Sequence, residues 1–289
     1  MESSRRRFLL PILILASSCS EVCRGQSSAA VGRSGNDYTV PFDLRHDFLV
    51  VVEGRVGSLE HRKFILDTGA STTLVSQAIA SQLSLPCQKG TVVNYQKNVP
   101  IEWTTFPEVQ VGPIVATGMR LLVANLTRFS DFAQDIDAVV GLDLLGKFQS
   151  IQINYQAHTI RFQARRSSPK TTLPQANSFL VSIQVQNRRV RLLLDTGLQG
   201  VLLYEERLRN RLPLFEHTGS AQVRIGPLSG HRVFLPGLQI GSDESKIPVY
   251  LIAGRTDAVP SEIDGYLGPR ALNPEWLELD FEHMVMRWQ

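Results

Sequence analysis

A chain of 289 residues, 43% hydrophobic and 20% charged, is long enough for one large domain or two lobes and apolar enough for a packed core, which excludes a disordered or low-complexity protein. The formal charge of +3 rests on the N-terminus, where Arg5, Arg6, Arg7 and Arg24 outnumber Glu2 and Glu21. Taking residues 1–25 from the 30 basic and 27 acidic residues leaves a near-neutral chain, without the basic patch that nucleic acid requires.

Residues 1–25 read as a signal peptide. Three arginines precede the apolar run from Phe8 to Ala16, which is too short to span a bilayer with ease, and small residues follow. The expected location is therefore outside the cytoplasm, periplasmic or secreted. Cys19, preceded by Leu15-Ala16-Ser17-Ser18, loosely matches a lipoprotein signal, so a membrane contact is expected only through a lipid at Cys19. Cys19 and Cys23 belong to this leader region. Cys87 then has no internal disulfide partner and reads as structural.

Residues 26–44, rich in Ser, Gly and Ala at their start, read as a flexible lead-in. The first half, 45–162, contains short β runs at Val50 to Val56, Lys63 to Leu66, Arg120 to Ala124, Ile151 to Tyr155 and Thr159 to Phe162. The polar stretch 163–177, with two prolines, reads as a linker. The second half, 178–289, answers with runs at Val181 to Val185, Val190 to Leu194, Val249 to Ile252, Leu277 to Phe281 and Val285 to Trp288. Helical patches are expected at Ser76 to Leu83 and at Tyr204 to Leu212. Short strands with few helices predict an all-β protein.

The tripeptide Asp-Thr-Gly occurs at Asp67-Thr68-Gly69 and again at Asp195-Thr196-Gly197, each time after an apolar run. The surroundings repeat too. Phe106 to Gly112 matches Leu235 to Gly241, and Asp137 to Leu142 matches Asp264 to Pro269. Ser150 to Tyr155 matches Glu275 to Asp280. Several blocks keep one order and nearly one offset, which identifies an internal duplication. A duplicated structural β domain would explain the repeat, but not the same carboxylate tripeptide in both halves. Equivalent strands related by a twofold axis bring equivalent ends together, so Asp67 and Asp195 are expected to meet.

Leu66-Asp67-Thr68-Gly69-Ala70-Ser71, with the later Val139-Val140-Gly141, resembles the active-site signature of retropepsin-like aspartic proteases. Leu194-Asp195-Thr196-Gly197 and Tyr266-Leu267-Gly268 repeat it. The whole resembles two retropepsin-type subunits fused in one chain. This implies two pseudo-symmetric β-barrel lobes, each with its own core, with one active site between them. It also implies an aspartic endopeptidase acting on peptide or protein substrates as a monomer, without cofactor or metal.

By the resemblance, Asp67 and Asp195 are the catalytic pair. Two neighbouring carboxylates share one proton; one activates water while the other holds the scissile carbonyl. Thr68 and Thr196 would reach across the axis to the opposite loop. Gly69 and Gly197 would turn their N–H groups to the carboxylates, with Ala70 and Ser71 completing the first loop. Gly141 and Gly268 would let each loop pack through its own lobe. The second motif departs at Leu198, where the family usually has Ala, Ser or Thr. Leu198 cannot hydrogen-bond the outer oxygen of Asp195, so the alternative reading is a catalytically impaired peptide-binding module on the same fold. Flap hairpins are expected around Lys89 to Trp103 and Thr218 to His231, with Tyr95 and Trp103 as candidates for covering substrate or for core packing. Neither a zinc-binding His-Glu-x-x-His nor a Gly-x-Ser-x-Gly nucleophile motif occurs. Asn125-Leu126-Thr127 forms an N-glycosylation sequon.

Overall fold

The computed structural model describes residues 38–94, 97–128, 134–164, 179–185, 188–209, 211, 221–225, 228–233, 235, 238–240, 243–244, 249–253 and 261–289. The leader 1–25 with Cys19 and Cys23, Tyr95 and residues 165–177 of the expected linker lie outside them.

The two motif strands, Leu59–Leu66 and Arg188–Leu194, end in three buried apolar residues each. Such a run needs cover on both faces, and both strands sit inside a sheet. Leu59–Leu66 pairs in parallel with Ala138–Val140, with Ile65 opposite Val139. Arg188–Leu194 pairs in parallel with Gly265–Leu267, with Leu193 opposite Tyr266. The next strands repeat this relation. Leu74–Ser76 runs antiparallel to Ala138–Val140 and parallel to Ile114–Ala124. Val201–Tyr204 runs antiparallel to Gly265–Leu267 and parallel to Val249–Ile252. One topology is built twice.

The first half forms an eight-stranded sheet. Leu49–Val56 pairs both with Leu59–Leu66 and with the long strand Lys97–Val111, so six strands close into a ring. The second half forms a nine-stranded sheet that stays open among the described residues. Short helices follow at Gln77–Gln82, capped by Ser76, and at Glu205–Leu208, inside the expected patches.

A third sheet draws on both halves. Its order is Tyr38–Pro41, Thr159–Ala164, Phe148–Asn154, Trp276–Asp280 and Val285–Trp288. Ile151 faces Leu279 and Ile153 faces Leu277 across the seam. Three expectations need correction here. Tyr38–Pro41 and Asp43–Arg45 are strands, although they fall in the segment read as flexible, because each finds a pairing partner. The strand Thr159–Ala164 likewise runs past 162 into the segment read as linker. The cores are not separate either. The largest cluster holds Val52, Phe64, Phe106, Phe148 and Phe162 together with Phe179, Leu194, Leu277, Leu279 and Phe281 of the second half. Phe179 meets Phe281 edge-on at 5.2 Å. A second cluster around Val190, Leu192, Val201, Leu203 and Leu251 belongs to the second half alone.

Candidate active site

Each motif strand ends where the neighbouring strand offers a last acceptor. The N–H of Asp67 donates to Val140 O at 3.0 Å, and that of Asp195 to Leu267 O at 2.9 Å. Each chain then turns tightly: Ala70 N–H donates to Asp67 O at 3.3 Å and Leu198 N–H to Asp195 O at 3.1 Å. The two turns face one another.

The threonines lock them together. Thr68 Oγ1 donates to Leu194 O at 2.9 Å, and Thr196 Oγ1 donates to Leu66 O at 2.7 Å. Each hydroxyl also accepts the opposite backbone N–H, Thr196 N at 3.1 Å and Thr68 N at 3.0 Å. All four bonds are buried, so no water competes for these groups.

The glycines let the loops approach. A Cβ on Gly69 would lie 2.4 Å from Cγ of Asp195, and one on Gly197 would lie 3.0 Å from Cγ of Asp67. Each glycine N–H instead donates to its own motif carboxylate, Gly69 to Asp67 Oδ1 at 2.8 Å and Gly197 to Asp195 Oδ1 at 2.9 Å. Gly141 and Gly268 lie against the loops from behind; a Cβ would strike Ala70 O in the first case and Leu198 O in the second. Ala70 is buried and Ser71 half-buried in the first loop.

The structure thus brings Asp67 and Asp195 together, with a hydrogen bond joining the two carboxyl groups. Both are almost wholly buried, 1% and 0% exposed. Burial lifts the Asp67 carboxyl to about 6, against donation from Asp195 and from the N–H groups of Gly69, Ala70 and Gly197. Burial first, then the charge of Asp67, pushes Asp195 well above the carboxylate range, with only the Gly197 N–H opposing. Two acids this close titrate as one system, and one proton stays on the pair near neutral pH.

The pair is not symmetric. Oδ2 of Asp195 is buried without a hydrogen-bond partner, and Leu198 is buried as an apolar side chain in the same loop. The loop of Asp67 is braced instead by a half-buried carboxylate. Asp143 Oδ1 accepts both Thr73 N–H at 2.9 Å and Thr73 Oγ1 at 2.6 Å, while Gly141 N–H donates to Thr73 Oγ1 at 3.0 Å. The repeat places Val201 opposite Thr73 and Arg270 opposite Asp143, so the second loop has no such brace.

A further pair was visible as part of the repeat but had no role assigned. Asp137 Oδ2 accepts Lys63 N–H at 2.9 Å, and Asp264 Oδ2 accepts Arg191 N–H at 2.8 Å. Each carboxylate ties the start of a glycine-element strand to the motif strand. A repeated acid just before an apolar strand was the available signal.

The first expected flap is a hairpin of Gln88–Asn94 with the start of Lys97–Val111. Trp103, within it, stacks under the guanidinium of Arg120, 3.0 Å from the ring centroid. The second is the hairpin Ala221–Ile225 with Leu228–Val233. Cys87 is exposed rather than part of the core, with its thiol near Leu85 O. Among the described residues no group of His, Cys, Asp and Glu forms a metal-ligand set.

Residues 52–147 match the family model described as "gag-polyprotein putative aspartyl protease". The match includes the first Asp-Thr-Gly and Gly141. No curated protein matches the sequence. Among solved structures, the chain is similar to a retropepsin-like aspartic protease from Rickettsia conorii, at 17% identity and a TM-score of 0.33, over 47% of this chain and 93% of that one. It is also similar to conglutin gamma, a basic 7S globulin from lupine seeds, at 11% identity and a TM-score of 0.45, over 89% and 95%. A third is basic 7S globulin from soybean, at 10% identity and a TM-score of 0.48, over 89% and 96%. The matched first half, its repeated strand order and the paired motif loops agree: the chain has a retropepsin-like aspartic protease fold.

Proposed function

We propose that this protein is an exported aspartic endopeptidase that hydrolyses peptide bonds with water activated between Asp67 and Asp195. The observation that carries the reading is the contact of two buried carboxyl groups, held by reciprocal threonine bonds. The ionised member takes a proton from water, and the protonated member donates to the scissile carbonyl oxygen as the water attacks. The tetrahedral intermediate then collapses as the amine leaves with a proton, and the pair returns to its single-proton state. Asp67, with more N–H donors, is the better-stabilised anion and suits the base; Asp195 suits the acid. Thr68, Gly69, Ala70, Ser71, Thr196, Gly197, Gly141 and Gly268 support the loops. An extended peptide would lie under the two hairpins, held by backbone bonds and side-chain pockets.

A second reading has one observation in its favour. Leu198 and the unpartnered Oδ2 of Asp195 mark the second loop as the poorer one, as in a peptide-binding module with impaired catalysis. Incubation of the mature chain with a mixed peptide library across pH, with Asp67→Asn as control, separates the two. Cleavage that Asp67→Asn abolishes supports the peptidase. Peptide binding without cleavage at any pH supports the module.

A further inference from the structure

The two motif loops share one turn but are held differently from behind. In the first, Ala70 O accepts the N–H of Leu142 at 2.8 Å. Three residues on, Thr73 is held by the same segment. Its N–H and its hydroxyl both donate to Oδ1 of Asp143, at 2.9 and 2.6 Å, and its hydroxyl accepts Gly141 N–H at 3.0 Å. The hydroxyl gives its only proton to Asp143, which leaves a lone pair for Gly141. Residues 70–73 are thus clamped to residues 141–143 at both ends.

The second loop shows the same turn with the clamp removed. The repeat places Pro269 at Leu142, Arg270 at Asp143 and Val201 at Thr73. Proline has no N–H for Leu198 O, valine has no hydroxyl, and arginine has no acceptor. Arg270 lies instead over the ring of Tyr155, 5.3 Å from its centroid. Gly268 N–H, the counterpart of Gly141 N–H, donates to Gly200 O at 2.7 Å, and Gly200 takes a positive φ of 84°. The difference reaches the carboxyls. Asp67 receives N–H bonds from Gly69, Ala70 and Gly197, and Asp195 receives one from Gly197. The Ala70 bond comes from the clamped segment, and Leu198 makes no matching bond to the Asp195 carboxyl.

We propose that Asp143 is a positioning residue that makes Asp67 the base of the pair: through Thr73 it holds residues 70–73 so that the Ala70 N–H is aimed at the Asp67 carboxyl. This deepens the peptidase reading and rests on it. Bonds to the charged form favour ionisation, so the clamped loop takes the negative charge and the unclamped loop of Leu198 leaves the proton on Asp195. Burial raises the Asp143 carboxyl, against bonds from Thr73 and Leu144 N–H; the charged group acting on it is Lys147, four residues on. Both Thr73 bonds fall on one oxygen. The clamp therefore persists when Asp143 is ionised, when its other oxygen is protonated, and when asparagine replaces it.

The test separates the clamp from the charge of Asp143, because the two have opposite signs. Removing a negative charge near the dyad lowers its pKa values, whereas removing an N–H donor from Asp67 raises the lower one. The dyad is titrated by carbon NMR of aspartate-labelled protein, with Asp67→Asn and Asp195→Asn for assignment, and cleavage of a peptide is followed in parallel. Asp143→Ala and Thr73→Val should each raise the lower apparent pKa of the pair by about half a unit to one unit. The acid limb of kcat/KM should move to higher pH by the same amount, with KM little changed. Asp143→Asn removes the charge but keeps the acceptor, so it should show no rise. Arg270→Ala, at the same position in the second half, should leave the lower value unmoved. Thr73→Val keeps the side-chain shape and decides the matter if Asp143→Ala does not fold. A lower apparent pKa that stays or falls in Thr73→Val, or that rises as much in Asp143→Asn as in Asp143→Ala, would overturn the clamp whether or not the parent cleaves. A parent that never cleaves, but whose dyad titration rises in Thr73→Val, would keep the clamp and remove the peptidase reading instead.

Discussion

Thr68 and Thr196 exchange places across the centre of the molecule: each hydroxyl donates to the carbonyl that precedes the other's aspartate and accepts the other's backbone N–H. Valine has nearly the same volume but neither function. Thr68→Val leaves Leu194 O and Thr196 N–H buried and unpaired. At about 1–3 kcal/mol for each orphaned group, the variant should lose about 2–6 kcal/mol. Urea unfolding measures this, and Thr196→Val should match it. A loss below about 0.5 kcal/mol in either would mean that the crossed bonds do not hold the loops.

The glycines give a graded prediction. Gly69→Ala puts a methyl 2.4 Å from the Asp195 carboxyl carbon, whereas Gly197→Ala puts one 3.0 Å from that of Asp67. The first contact cannot be relieved without parting the carboxyls; the second needs a smaller shift. Gly69→Ala should therefore lose more peptidase activity than Gly197→Ala, with both folded by circular dichroism. Equal losses would remove the asymmetry argued for the two loops.

Much of this site could be read along the chain, because its parts are local. The apolar runs before Asp67 and Asp195, the tripeptides and Gly141 and Gly268 lie on short segments whose repetition exposes them. The shared sheet could not be read in this way. Ile151 and Leu279 show strand character, but nothing local says that they face each other across the halves. Their pairing is a long-range choice made by burial, as is the recruitment of Phe179 and Phe281 into the first core.

Stability should depend on pH through the dyad. The Asp67 carboxyl rises from the usual 3.8 to about 6 in the fold, mainly through burial. The native state thus binds a proton more tightly than the unfolded chain. Its contribution is fully present below about 4 and is lost as pH rises through 6. Asp135 has the opposite sign. Its bonds with Lys63 and then Arg45 lower it to about 2, so its contribution is present above 3.8 and is lost as pH falls toward 2. Unfolding free energy should decline between pH 4 and 7, and Asp67→Asn should flatten that decline by about 3 kcal/mol. A parent and an Asp67→Asn variant with parallel profiles in this window would contradict a raised Asp67.

Leu198 offers a gain-of-function test. It is buried beside a carboxyl that has an unpartnered oxygen. A hydroxyl in that loop would donate to the anion, and bonds to the charged form lower a pKa. Leu198→Thr should shift the alkaline limb of the cleavage profile to lower pH. It should also cost about 2–4 kcal/mol of stability from the lost apolar packing. A variant destabilised in this way but with an unmoved profile would refute the role given to the position.

The deciding prediction is that neither aspartate can stand alone. One carboxyl must take a proton from water while its partner donates to the carbonyl, and the nearby Asp143 is engaged with Thr73 instead. Asp67→Asn and Asp195→Asn should each lower kcat by about 10²–10⁴-fold or more. The double variant should lose little beyond either single one, because groups that act as a unit are not additive. Folding should survive, since asparagine keeps the shape and removes the cost of burying a charge between two acids. Gly69 and Gly197 can still donate to the amide oxygen, so the loops should keep their turns. Peptide affinity should persist, because an extended substrate is held by backbone bonds and pockets away from the exchanged proton. Cleavage and affinity measured on all three variants decide the matter. A folded single variant that keeps more than a tenth of the parent's kcat would end the shared-proton mechanism, even with the two carboxyl groups in contact.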